Sequence, residues 1–297
     1  MTDYIIELKN VSKSFNGQQV IHNVDMHIKR GEIYGFIGSN GAGKTTIMKM
    51  MLGLIEADSG EIKILDSTVN ENNFEVKKQI GSIIENPFFY EKLSGRKNLE
   101  IHAKYMGFDD KDVIDNVLDK VSLTQAAEKK VSQYSLGMKQ RLAIARAILT
   151  KPRILILDEP INALDPQGIV EMRNLFENLS KKDGMTILIS SHILSEVEHI
   201  VDRIGIIKNG CIIKEIENET YQQEYIELIV EKQQEAGKIL ELKNISYVLK
   251  DEKHLLIKAD DISVEELSVL MIQNHIALLG ISKVKKDLEN YFFEVTA

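Results

Sequence analysis

The chain has no tryptophan, one cysteine and four prolines in 297 residues. A single thiol excludes an intrachain disulfide and fits a reducing compartment. That thiol, Cys211, lies in "NGCII", which reads as a tight turn feeding a strand. It is expected to be a small buried hydrophobe rather than a reactive group. No stretch approaches the ~18 uninterrupted apolar residues of a membrane span. The opening "MTDYIIELKN" lacks the basic-then-apolar pattern of a signal peptide. Work at a membrane would need another chain to do the spanning. Positive charge is also short: 45 acidic against 37 basic residues leave a net charge of −8. That balance weighs against sequence-blind nucleic-acid binding, and no nucleic-acid partner is expected.

What is present is ordinary for a globular chain, with 43% hydrophobic and 28% charged residues. The length suggests two domains at roughly 150 residues each. "EIYGFIG" (32–38), "RILILDEP" (153–160) and "MTILISSH" (185–192) read as buried strands, and "RIGIIKNG" (203–210) as a strand entering an Asn-Gly hairpin. "GKTTIMKMMLGL" (43–54) reads as a helix with Ile47, Met50, Met51 and Leu54 on one face. Apolar strands alternating with helices predict an α/β fold with a parallel sheet covered on both faces. A nearly all-helical stretch predicts an inserted helical subdomain over about 85–150. Beyond residue 220 the texture changes. The polar "NETYQQ" precedes strand, helix, hairpin (turning at 251–253), helix, a short apolar run and a last helix, "KKDLENYFFEV". The expected division is 1–220 and a small α+β domain of ferredoxin-like type at 221–297. The lysines of "KVKK" are expected on a solvated helix face.

"GSNGAGKTT" (38–46) comes after a predicted strand and opens a predicted helix, the setting a phosphate-binding loop requires. Gly38, Ser39, Asn40, Gly41, Ala42 and Gly43 let successive N–H groups point inward, and the helix N-terminus adds positive charge there. Lys44 can reach β- and γ-phosphates, Thr45 offers a hydroxyl to Mg²⁺, and Thr46 is placed for the α-phosphate. The second acidic site, "ILILDEP", puts Asp158 and Glu159 at the carboxyl end of a strand, where ligand crevices lie in parallel sheets. Asp158 suits the metal shell, and Glu159 suits a general base orienting water toward the γ-phosphate.

With these two sites, "YSLGMKQRLAIARAIL" (134–149) resembles the ATP-binding subunits of ABC transporters: it is similar to their LSGGQ signature with its trailing helix. Ser135 and Gly137 keep the hydroxyl and one open amide, while Leu136 and Met138 depart from glycine and glutamine. "ALD" (163–165) resembles the loop whose aspartate, here Asp165, meets the partner subunit. His192 resembles the switch histidine, and Phe15 the aromatic that stacks on adenine, with a core phenylalanine as the alternative. The resemblance covers about residues 4–220. It implies a P-loop core with N-terminal antiparallel strands, ATP and Mg²⁺, a homodimer sandwiching two ATP, and transmembrane permease subunits. The implied place is the cytoplasm, peripheral on the inner face of the membrane.

In "IGSIIENPFFYEKLSG", Glu85 stands where the family has a glutamine that senses Mg²⁺ and water. An acid there implies a harder metal ligand, and a catalytic and metal role for Glu85. The alternative is a shifted loop with Glu85 merely solvated. Phe88, Phe89 and Tyr90 either face the core or line a groove for a permease helix. Glu85 with "SLGMKQR" resembles the bacitracin-resistance and lantibiotic-immunity branch, which implies export of a peptide antibiotic or other amphiphile. The other function considered is a soluble, non-transport ABC ATPase in a role such as cluster assembly.

Overall fold

The computed structural model describes residues 3–69, 73–85, 87–107, 111–162, 164–193, 197–217, 224–251 and 253–285. The chain divides into two compact units, Met1–Ile216 and Glu217–Ala297.

The first unit opens with β1 (Tyr4–Phe15) and β2 (Gln18–Lys29), antiparallel through a turn at Asn16 and Gly17, both with positive φ. An Asn-Gly pair supplies the left-handed conformations that a tight hairpin needs. β3 (Ile33–Ile37) leads through the 38–43 loop into α1 (Lys44–Met51). β4 (Ser59–Ile64) and β5 (Ser67–Thr68) complete a sheet ordered β2-β1-β4-β5. Next along the chain are α2 (Phe74–Lys77) and β6 (Ile80–Ile83), then α3 (Gly95–Tyr105), α4 (Lys111–Lys120) and α5 (Leu136–Ile148). β7 (Ile154–Leu157), α6 (Pro166–Lys181), β8 (Thr186–Ser191), β9 (Arg203–Lys208) and β10 (Cys211–Glu217) close the unit.

The second sheet runs β10-β9-β3-β8-β7-β6, and the pairs from β9 to β6 are parallel. Every residue of β3, β7 and β8 is buried. That is why these strands read as continuous apolar runs rather than alternating ones. Because β3, β7 and β8 are parallel neighbours, the segments leaving their carboxyl ends all emerge at one edge. The 38–43 loop, Asp158–Glu159 and His192 are those continuations. Gly38 N–H donates to the Ser191 carbonyl at 3.3 Å across that edge.

Leu54 is not on the apolar face of α1. The helix ends at Met51, with Gly53 N–H donating to Met50 O and Leu54 N–H to Lys49 O, a Schellman closure. Leu54 therefore lies beyond the helix and is exposed. Cys211 is half-buried at the start of β10, not fully buried. The predicted Asn-Gly hairpin does form, with φ of 49° at Asn209 and 76° at Gly210.

The second unit contains β11 (Glu224–Val230), α7 (Gln233–Leu242), β12 (Tyr247–Leu249), β13 (His254–Lys258), α8 (Val264–Gln273) and β14 (Leu278–Lys285). Its antiparallel sheet is ordered β12-β13-β11-β14, the split βαβ arrangement of ferredoxin-like folds. Ile226, Leu228, Val230, Ala236, Leu240, Leu267 and Met271 form its core. Ser263 and Glu266 start α8 with a reciprocal capping box. Lys283 and Lys285 stand in β14, so the expected helix face at "KVKK" is a strand end instead. "NETYQQ" and residues 286–295 of the expected last helix lie outside the described residues.

Candidate functional site

Gly43 occupies the N-cap of α1 at φ 109°, and a Cβ there would stand 2.5 Å from Ile21 Cδ1. Only glycine fits, and with no side chain it cannot cap the helix. Ile47 N–H to Gly43 O, at 3.0 Å, is the first bond of the helix. The earlier amides of the first turn are thus left facing outward, a cradle for an anion. Gly41 is also left-handed, and Ser39, Asn40 and Gly41 are exposed. Gly210 N–H donates to Ala42 O at 3.0 Å, so the β9–β10 turn braces the cradle from behind.

Lys44 is 6% exposed. Its Nζ donates to Gly38 O at 2.6 Å and Ser39 O at 3.3 Å, and stands 3.4 Å from Glu159 Oε1. Thr45 Oγ1 donates to Asp158 Oδ2 at 2.7 Å. His192 Nδ1 lies 2.8 Å from Glu159 Oε2. Lys44, Thr45, Asp158, Glu159 and His192, from three separate strand ends, therefore meet at one site. Glu159 has φ 49°, a costly conformation for a non-glycine residue and one found where function fixes geometry. Ser190 joins the two acids: its Oγ donates to Asp158 Oδ1 at 2.6 Å and accepts from Glu159 N–H at 2.9 Å. Sequence reasoning passed over Ser190. The signal was two hydroxyls closing an otherwise apolar strand in "ILISSH".

Ser135 caps α5 by accepting from Met138 N–H at 3.2 Å, and Asp165 caps α6 by accepting from Gly168 N–H at 2.9 Å. Both line a second cavity of about 400 Å³ together with Leu136, Gly137 and Leu164. Leu136 is 55% exposed, so more than half of it stays open within its own unit. Ala163 lies outside the described residues. Phe15 ends β1 with 42% of its surface exposed and Lys13 Nζ 5.6 Å from its ring centroid. It is not a core residue. Thr46 is half-buried in the first turn of α1.

Glu85 does not stand free. Its Oε1 accepts from Lys49 Nζ at 2.7 Å, and its φ is 61°. Of the aromatics beyond it, Phe88 is 89% exposed. Phe89 lies beneath Arg146, 5.0 Å from guanidinium to centroid. With Tyr90, Tyr105 and His102 they line a groove of about 390 Å³. The cluster thus lines a surface groove rather than facing the core.

An anion cradle backed by a buried lysine, with two carboxylates and an imidazole beside it, is built to hold and cleave a nucleotide polyphosphate. Comparison with known proteins agrees. The sequence pattern of the ABC transporter family matches residues 21–162. An uncharacterized ABC transporter ATP-binding protein of Bacillus subtilis, YcbN, is 47% identical over 98% of this chain and 97% of its own length. The chain belongs to the ABC transporter family. This ABC subunit is an ATPase. It is also 41% identical to the bacitracin transport ATP-binding protein BcrA of Bacillus licheniformis, over 98% of this chain and 97% of that one. The lantibiotic transport ATP-binding protein SrtF of Streptococcus pyogenes is 44% identical over 72% of this chain and 91% of its own. Among solved structures, cbiO1 of Clostridium perfringens, part of the ABC transporter complex cbiONQ, superposes with a TM-score of 0.69 and 27% identity, over 74% of this chain and 90% of that one. A dimeric post-hydrolysis cassette, MJ0796 bound to ADP and Pi, gives 0.65 and 26%, over 72% and 98%. ABC ATP-binding subunits form dimeric cassettes and work with transmembrane partners. Among the described residues here, no helix is long and apolar enough to cross a membrane.

Proposed function

We propose that the chain powers a separate membrane permease that exports a peptide antibiotic or similar amphiphile, and that it lies in the cytoplasm against the inner face of the membrane. The observation that carries the catalytic half is the Lys44–Glu159–His192 cluster at the mouth of the phosphate cradle. What supports the cargo is the kinship to the bacitracin and lantibiotic transport proteins. Two copies close head to tail, each cradle of residues 38–46 facing the other chain's Ser135 and Gly137, with Asp165 at the seam. Phe15 supplies an exposed face for adenine. Lys44 holds the phosphates, Glu159 takes a proton from the attacking water, and His192 orients Glu159 and meets the γ-phosphate.

The donor set fits magnesium. Thr45 and Asp158 bring a hydroxyl and a carboxylate oxygen to one place, hard oxygens of the kind that ion takes beside phosphate oxygens and water. Glu85 is the further candidate ligand. Bound magnesium would supply charge neutralisation. Ser190 would position Asp158 and Glu159 around it. Ser190→Ala is expected to cut ATPase activity about ten- to a hundredfold, with more magnesium needed for half-maximal rate. ATPase assays across a magnesium series read both.

The groove around Phe88 and Tyr105 is the docking face for the permease. Tagged chain drawn from detergent-solubilised membranes is expected to bring a polytopic membrane protein with it. Phe88→Ser with Tyr105→Ser is expected to lose that partner while keeping basal ATPase. Recovery of the wild type without any membrane protein would sink the transport reading.

A further inference from the structure

Lys49 has no part in the phosphate cradle, yet it grips the one acid that departs from the family pattern. α1 carries Thr45 and Lys49 four residues apart, so both lie on the same face, one turn and about 6 Å apart along the axis. Helical side chains lean toward the N-terminus, which tilts the Lys49 stem toward Thr45. Lys49 is firmly seated: its carbonyl accepts Leu54 N–H in the helix closure, and Met48, Met50 and Met51 beside it are buried. Glu85 comes to this face from the loop after β6 and holds Lys49 at 2.7 Å, on a left-handed backbone. The carboxylate is therefore held on the face of α1 that also carries the Thr45 hydroxyl bonded to Asp158.

We propose that Lys49 is a positioning residue that holds the Glu85 carboxylate on the Thr45 face of α1 until metal and nucleotide bind. Resting on the reading of Glu85 as a magnesium ligand, the consequence is a hand-over in which the carboxylate exchanges the ammonium for the metal. Glu85 is 67% exposed, and exposed ion pairs are weak and easily exchanged. The ammonium also answers why an acid is tolerated beside a phosphate site. Its charge is balanced before any metal arrives. A glutamine there would have no comparable hold on Lys49.

Hydrogen exchange of the amides around Glu85 in the full chain tests the hold without relying on activity. Without nucleotide, Lys49→Met is expected to speed that exchange about two- to fivefold, the factor an exposed ion pair corresponds to. Lys49→Arg restores the slow rate. Adding Lys49→Met to Glu85→Gln changes nothing further. With magnesium and ATP bound, wild type and Lys49→Met are expected to exchange alike. Unchanged exchange in Lys49→Met, or the same increase in the Glu85→Gln background, overturns the proposal. Magnesium-dependent binding of a fluorescent ATP analogue separates the two ideas. A loosened loop in Lys49→Met with a wild-type magnesium titration in Glu85→Gln supports the hold and removes the metal reading alone.

Discussion

Glu159→Gln is expected to lower steady-state ATP hydrolysis by about two to four orders of magnitude, the range a positioned general base supplies. The change removes a proton acceptor and little else. Glutamine keeps the volume, its amide can still meet His192, and its backbone N–H can still meet Ser190. Nucleotide affinity should therefore survive. With cleavage blocked, ATP and magnesium should accumulate a dimer that is visible on size exclusion and absent with ADP. A rate within threefold of wild type would assign proton removal to another group. His192, bonded to Glu159 at 2.8 Å, would be the first to test.

Lys44→Ala is expected to cost about a hundred- to a thousandfold in turnover, the scale for removing one preorganised charge from a transferring phosphoryl group. Here the loss has a second source. Lys44 Nζ also ties the Gly38 and Ser39 carbonyls, so without it the cradle loses its own internal strut. ATP binding should weaken along with turnover, which equilibrium binding separates from kcat. Lys44→Arg should not rescue: a planar guanidinium cannot replace a compact ammonium in a site that is 6% exposed. Equal turnover in Lys44→Ala and wild type would remove the cradle from the mechanism.

The parts of the site that were legible in the sequence are those written in consecutive residues. The 38–46 loop announces itself because glycine, lysine and threonine must leave a strand and open a helix in one short run. Asp158 and Glu159 were readable because four apolar residues fix the strand and Pro160 ends it. The ferredoxin-like unit was legible for the same local reason, its periods switching between two and 3.6. What stayed hidden depends on distant partners. Lys49 meets Glu85 across 36 positions, and neither neighbourhood hints at the other. The brace from Gly210 to Ala42 exists only once β9 lies beside β3. Leu54 was misread because apolar spacing continues past the point where backbone bonds close the helix. "KVKK" was misread because two lysines flanking a valine suit an edge strand as well as a helix. Leu136 departs from the family's glycine, and its exposure beside Ser135 shows only that it has a face to offer a second surface.

β6 and β7 lie side by side, with Ile83 opposite Leu157 and Asp158 N–H bonded to Ile83 O at 2.8 Å. Between them the chain makes its helical excursion, α3 to α5, leaving from the carboxyl end of β6 and re-entering at the amino end of the parallel β7. One foot of the excursion, at Glu85, thus stands at the edge that holds the chemistry, and the other reaches Asp158 through the four residues of β7. A push on its far end can travel into those two footings, and through the Arg141–Glu171 and Lys120–Asp183 pairs into α6 and the turn after it. A membrane protein gripping the excursion would have a crowbar on the reaction without ever touching a phosphate.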